Sequence, residues 1–246
     1  MFRQHDIVQS RALGGPVHLF RYGHYGPPLV VFPSAAGLAN EWELGGVIDA
    51  LSDLLDGGRL KIYSTESNVA EAWTRRDSDP AWRIGRHRAF ESYVVDELVP
   101  WIRADCGAAE IGISASGVSL GAFYAANFAL KFPEIFRYAL CLSGRYDISW
   151  LTDGFHNQDV YFNNPMAYVP NLHGPHLERI RNNTHLTLVC GLGQWEDGNI
   201  EDTNRFAALL ASKGIRRDHD MWGHDVAHQW PWWCKQVSYH VRKALT

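Results

Sequence analysis

Cysteine is scarce in this 246-residue chain: Cys106, Cys141, Cys190 and Cys234 stand far apart, with no C-x-x-C pair. That spacing excludes a zinc ribbon and the stapled framework of a small secreted domain. Positive charge is short as well, with 23 Lys and Arg against 27 Asp and Glu, a formal charge of −4. Without a basic excess, a nucleic-acid partner and an anionic membrane partner are not expected. No apolar run approaches the roughly 20 residues of a membrane span. The opening stretch MFRQHDIVQSRALGG has no apolar core of the signal-peptide kind. The expectation is a cytoplasmic protein with no membrane span. Internal repeats and low-complexity linkers are also absent. What is present is a 46% hydrophobic composition, enough to fill one large core without metals or disulfides. A homo-oligomer is compatible with it. Nothing calls for a metal or an organic cofactor.

Apolar runs alternate with helical patterns along the chain. Val17 to Arg21 alternates apolar and polar, as a half-buried strand does. Leu29–Phe32 and Leu60–Tyr63 are short continuous runs, the form of strands covered on both faces. From Ala89 to Ala104, Phe90, Val94, Leu98 and Ile102 fall on one helical face, and Pro100 predicts a kink or an early stop. A strand over Ile111–Ser116, a helix over Leu120–Phe132 and a strand over Tyr138–Leu142 follow. Residues 145–180 break the rhythm with aromatics, Asn and Pro, and read as a cap or active-site rim. The alternation resumes with a strand over Leu186–Cys190, a helix over Ile200–Lys213, an exposed strand over Asp218–Met221 and a helix over Trp232–Ala244. This order predicts one α/β domain over residues 1–246, with a mostly parallel sheet and helices on both faces.

Between the strand at 111–116 and the helix that follows lies Gly117-Val118-Ser119-Leu120-Gly121, a G-x-S-x-G match in a strand–turn–helix context. A turn this sharp makes side chains two residues before and after the serine collide, and glycine removes them. The helix start beyond Ser119 adds N–H donors and a positive dipole end, both favourable to an oxyanion. Ser114 and Ser116 lack flanking glycines and read as packing or hydrogen-bonding residues.

The run from Gly117 through Pro133, with Phe136 and Leu142-Ser-Gly144, resembles the esterase branch of the α/β-hydrolases. That branch holds S-formylglutathione hydrolases, feruloyl esterases and mycobacterial mycolyltransferases. His228-Gln-Trp-Pro-Trp-Trp233 is similar to the H-x-W-x-x-W segment that carries the catalytic histidine in several members. The resemblance runs from about Leu29 to the end and implies the α/β-hydrolase fold and a serine esterase acting on a small-molecule ester. Leu120 and Ala122 replace the common Met and second Gly. Pro33-Ser-Ala-Ala-Gly37 lacks the usual Asp-Gly.

A serine nucleophile needs a base, and the base needs a carboxylate that fixes its tautomer. In this fold the chain order is Ser, acid, His. The acid belongs just after Leu186–Cys190, where Glu196 and Asp197 stand. The resemblance to the mycolyltransferases favours Glu196, with Asp197 next. Glu201 and Asp202 fall on the following helix and are expected to be solvated. His224 and His228 both lie between the last strand and the last helix. His228 sits better against the tryptophans, and Gly223-His224-Asp225 keeps His224 as the second choice. Their His-x₃-His spacing has no evident third metal ligand. Oxyanion donors are expected from the N–H of Leu120 and of Ala35, with Ala36 next.

Trp42, Trp150, Trp195 and Trp230 lie near predicted strand ends, as an aromatic rim for an acyl chain or ring would. Tyr146, Asp147 and Tyr161–Pro165 are expected to shape a pocket above Ser119. The expected function is ester hydrolysis through an acyl-enzyme on Ser119. Its rivals are an acyltransferase using the same triad and a non-catalytic binding protein of the same fold.

Overall fold

The computed structural model of the protein describes residues 1–245; Thr246, the last residue of the expected domain, lies outside the described residues. Among the described residues, eight strands form one sheet: β1 (Arg3–Ser10), β2 (Gly15–Tyr22), β3 (Pro28–Phe32), β4 (Lys61–Thr65), β5 (Ile113–Val118), β6 (Phe136–Leu142), β7 (His185–Cys190) and β8 (Arg217–Met221). Their order across the sheet is β1-β2-β4-β3-β5-β6-β7-β8. The β1–β2 and β2–β4 pairs are antiparallel and every other pair is parallel.

β3, β4 and β7 are almost wholly buried, as their continuous apolar runs predict. Their side chains divide by the two-residue period. Val30 and Phe32 pack on one face with Phe90, Phe123 and Phe128. Leu29 and Val31 pack on the other with Val47, Leu51, Trp233 and Val237. Each face is therefore closed by its own helices. The long helical stretch at residues 80–105 and the helix Leu120–Lys131 cover the first face; the short helices between Glu41 and Asp56 and the helix Trp230–Ala244 cover the second. Leu120–Lys131 is buried around nearly its whole circumference, which explains why it reads as apolar and small-residue throughout rather than amphipathic.

Several elements differ from the sequence expectation. The helix expected from Ala89 begins at Pro80, where Asp79 caps it by accepting from the Ala81 N–H at 2.7 Å. Pro100 neither stops nor ends it. A π-helical stretch, Tyr93–Leu98, runs directly into Val99–Asp105. Widening the turn just before the proline relieves the demand for a regular hydrogen bond there. The last helix begins at Trp230, two residues early, with Pro231 in its first turn. β1 is a strand with no apolar period, because it lies at the sheet edge and exposes most of both faces. No helix among the described residues is long and apolar enough to cross a membrane.

β3 hands the chain to β4 on one side, whereas β5 hands it to β6, β7 and β8 on the other. The C-terminal ends of β3 and β5 thus flank the point where the winding direction reverses, which opens a crevice in sheets of this kind.

Candidate active site

Ser119 follows β5 at this reversal point, with φ 55° and ψ −119°, a conformation costly for a residue with a side chain. Its neighbours show what the turn requires. A Cβ at Gly117 would stand 2.0 Å from the Gly121 carbonyl oxygen, and one at Gly121 would stand 2.5 Å from the Phe32 and Pro33 carbonyl oxygens. Both glycines are therefore steric necessities of the elbow.

Side chains from other segments at the same sheet edge form a relay that reaches Ser119 through His228. His228, between β8 and the last helix, has Nε2 at 3.0 Å from Ser119 Oγ and Nδ1 at 3.0 Å from Glu196 Oε2. Glu196, on the loop after β7, is 1% exposed. Burial by itself raises its pKa, but bonds from His228, Ser143 and Asn199 outweigh this and hold the carboxyl below its ordinary range. Ser143 Oγ donates to Oε1 at 2.5 Å, and Asn199 Nδ2 donates to Oε2 at 2.8 Å. With Nδ1 donating its proton to this carboxylate, Nε2 is left as an acceptor toward the serine.

The backbone locks the two loops together. Gly193 N–H donates to the Val226 carbonyl at 2.9 Å and His228 N–H to the Gln194 carbonyl at 3.0 Å. The imidazole also stands edge-on against Trp233, 4.7 Å between centroids. Trp233 Nε1 in turn donates to Ser143 Oγ at 3.0 Å.

The turn after β3 is pinned from beneath. Glu41 accepts from the Ser34 N–H and hydroxyl, each at 2.8 Å, and Trp42 Nε1 donates to the Phe32 carbonyl at 3.1 Å. Burial pushes the Glu41 carboxyl above its ordinary range despite the bonds from Ser34. The Ala36 N–H is committed to Ser34 Oγ at 3.2 Å, which removes it as a donor to substrate. Ala35 and Leu120 line the cavity beside Ser119, and neither N–H has an acceptor among the described residues.

Two clefts meet at Ser119 and Ala35. One, of about 420 Å³, is lined by Trp73, Arg76, Leu120, Arg145, Trp150 and Leu151 among others. The second, of about 490 Å³, is lined by His228, Trp230, Pro231 and Trp233. Of the expected aromatic rim, Trp150 and Trp195 border the first cleft and Trp230 the second. Trp42 is fully buried and is core.

Other sequence expectations are corrected here. Tyr146 is fully buried and stacks on Phe206 at 4.2 Å. Asp147 accepts from Ser149 N–H and Asn164 Nδ2. Tyr161 and Phe162 border a separate groove with Lys131 and His176. None of these shapes the pocket above Ser119; within 145–180, Arg145, Trp150 and Leu151 do. Asp202 is 8% exposed and accepts from Tyr146 N–H rather than being solvated. Asp197 is exposed and offers only its backbone carbonyl, to Arg145. His224 is exposed and has no bond to Ser119 among the described residues. Ser116 donates to the Leu140 carbonyl inside the sheet. Neither Ser143 nor Asn199 is a candidate site residue by sequence: Ser143 enters only within the Leu142-Ser-Gly144 strand end that carries the resemblance, and Asn199 has no signal. Among the described residues no group of three or more His, Cys, Asp and Glu converges as a metal site.

Known proteins share this architecture. A ferulic acid esterase structure superposes with a TM-score of 0.74 at 18% identity, covering 97% of this chain and 95% of its own. The S-formylglutathione hydrolase from Agrobacterium tumefaciens superposes with a TM-score of 0.74 at 16% identity, covering 99% and 94%. The fold is the α/β-hydrolase fold. In sequence, the chain is 24% identical over 217 residues to the diacylglycerol acyltransferase/mycolyltransferase Ag85C of Mycobacterium leprae (strain TN), a match covering 74% of this chain. It spans only 60% of that curated relative's length. The Putative esterase family model matches residues 47–244, and the chain belongs to that family.

Proposed function

We propose that the protein hydrolyses carboxylic esters through an acyl-enzyme on Ser119, with His228 as base and then acid and Glu196 as the carboxylate that orients it. The observation that carries this reading is the continuous hydrogen-bond chain Ser119–His228–Glu196, 3.0 Å at each link, beside a cavity. In acylation, His228 Nε2 takes the Ser119 proton as Oγ attacks the ester carbonyl. The tetrahedral oxyanion is held by the N–H groups of Leu120 and Ala35. The imidazolium, stabilised by Glu196, then protonates the leaving alkoxide. Water enters and the same steps run in reverse order on the acyl-enzyme, releasing the acid and restoring the serine. Arg145, Trp150 and Leu151, from the segment 145–180, form part of the rim of this site within a single domain.

The test is labelling with a fluorophosphonate probe and mapping of the modified peptide, alongside a p-nitrophenyl acetate-to-decanoate rate series. Labelling of Ser119 with turnover is expected, and Ser119→Ala should lose both. Turnover surviving in Ser119→Ala would sink the assignment. Glu196→Gln should lower kcat by roughly 10²–10⁴-fold, and Asp197→Asn by far less; the opposite ranking would move the acid to Asp197.

Acyl transfer through the same groups is the second reading. It is favoured by the open cleft on the His228 side, where an acceptor alcohol could replace water, and by the relative named an acyltransferase. Partition of the acyl-enzyme between water and added alcohols separates the two.

A further inference from the structure

The two clefts at Ser119 differ in chemistry, and the mechanism proposed above assigns them. His228 must protonate the departing oxygen, so the leaving group lies on the His228 side, in the cleft walled by Trp230, Pro231 and Trp233. The cleft without His228, walled by Trp73, Leu120, Trp150 and Leu151, is left for the acyl group.

That acyl cleft contains two guanidinium groups in different electrical states. Arg76 is ion-paired with Asp153 at 2.6 Å, a carboxylate it shares with the buried Arg83. Arg145 forms no ion pair among the described residues. Its Nε donates to Asn199 Oδ1 at 3.2 Å and its Nη2 to the Asp197 carbonyl at 3.0 Å. Those two bonds occupy one edge of the guanidinium and leave the Nη1/Nη2 end with hydrogens to donate. The group is also fixed in orientation. It packs over the Trp150 ring at 5.2 Å, with Arg76 on the same ring at 5.4 Å. It also lies against Gly198, where a Cβ would stand 2.2 Å from Nη2. Asp197 also lines this cleft, but its carboxylate makes no ion pair with Arg145 among the described residues. Asp153 and Asp197 together leave Arg76, Arg83 and Arg145 one positive charge in excess. The Arg145 fork, bridged by no carboxylate, is built to hold one end-on.

Resting on the esterase reading, we propose that Arg145 selects acyl groups that end in a carboxylate, so that the preferred substrates are half-esters of dicarboxylic acids. The methylenes of such an acyl group pack on Trp73, Leu120 and Leu151, and its far carboxylate meets the free end of Arg145.

The experiment compares kcat/KM for p-nitrophenyl half-esters of glutarate, adipate and suberate with uncharged p-nitrophenyl esters of the same chain length. Wild type should prefer the charged member of at least one pair by about tenfold. Arg145→Gln should bring that ratio to about one, and Arg145→Lys should keep part of it. The ratio cancels any effect of Arg145 on the triad through Asn199, because a merely structural role slows both esters alike. Calorimetric binding of the same half-ester to Ser119→Ala, and its loss in Ser119→Ala/Arg145→Gln, reads the site without turnover. Turnover with a ratio unchanged by Arg145→Gln would overturn the inference and leave hydrolysis standing. Arg145-dependent binding of the half-ester without turnover of any ester would reject hydrolysis and sustain the anion site. Failure of Ser119→Ala to favour the half-ester over its uncharged partner would also overturn the inference.

Discussion

Ser143 donates to Glu196 Oε1 at 2.5 Å from a left-handed backbone position, φ 53°, at the end of β6. The same hydroxyl accepts from Trp233 Nε1, so one oxygen ties the buried carboxylate to the helix that follows His228. Ser143→Ala leaves two buried polar groups short of a partner, and should cost about 1–3 kcal/mol. The pH dependence gives the sign. Glu196 has a lowered folded pKa, so its contribution to stability is present above the unfolded value and is lost as pH falls through the folded one. Removing a donor raises the folded value and shrinks that contribution at neutral pH. Denaturant midpoints should therefore show a larger deficit for Ser143→Ala at pH 7 than at pH 3. A deficit independent of pH would contradict the role given to this bond.

The elbow strain at Ser119 is open to a direct measurement. Ser119→Ala keeps a Cβ at φ 55°, whereas Ser119→Gly removes it. Relief of the strained conformation, set against the greater freedom of glycine in the unfolded chain, should leave Ser119→Gly the more stable by about 1 kcal/mol. Thermal unfolding of the two inactive variants checks this, and a higher Tm for the alanine form would reject it.

His87 is fully buried between Trp73 and Tyr124, with Nε2 on Asn163 Oδ1 at 3.2 Å. Burial first, and then the nearby Lys131 charge, push its pKa down to about 3. The unfolded histidine takes a proton below about pH 6.5 that the folded one refuses. Stability should consequently fall as pH drops from about 6.5 toward 3, by up to about 1.36 kcal/mol per unit from this group. His87→Gln should be less stable than wild type at pH 7, with the gap closing by pH 5. Parallel urea-stability curves for the two proteins would refute it.

Arg83, 2% exposed, holds the cavity wall by donating to the Leu151 carbonyl at 2.7 Å and to Asp153 at 2.6 Å. Arg83→Ala removes both and should free residues 149–155. Limited proteolysis should then cut within that segment, and KM for esters should rise more than kcat falls, because Trp150 and Leu151 line the cleft. Unchanged protease resistance would show that the wall is held by other contacts.

Much of the architecture was legible because its signals are local. Leu29–Phe32, Leu186–Cys190 and the G-x-S-x-G turn each carry their reason in adjacent residues: burial on both faces, or a collision that only glycine avoids. The edge strand Arg3–Ser10 was illegible for the complementary reason, since a strand exposed on both faces needs no apolar period. The aromatic segment 145–180 misled because composition does not say which side a ring faces. Tyr146 turned into the core while Trp150, four residues on, turned to the cleft.

Local pattern is enough to specify the alternating α/β order, the elbow around Ser119, and the short stretches that hold Glu196 and His228. Which of two adjacent side chains turns inward depends on the packing around them. Glu196 points inward to His228 because Ser143 and Asn199 lie there to satisfy its oxygens, while Asp197, one residue on, faces solvent. Those partners come from different elements: Ser143, 53 residues away, follows β6, and Asn199, three residues away, opens the helix after β7. A buried charge is stable only where such partners converge, and convergence is a property of the folded sheet edge rather than of any stretch of chain.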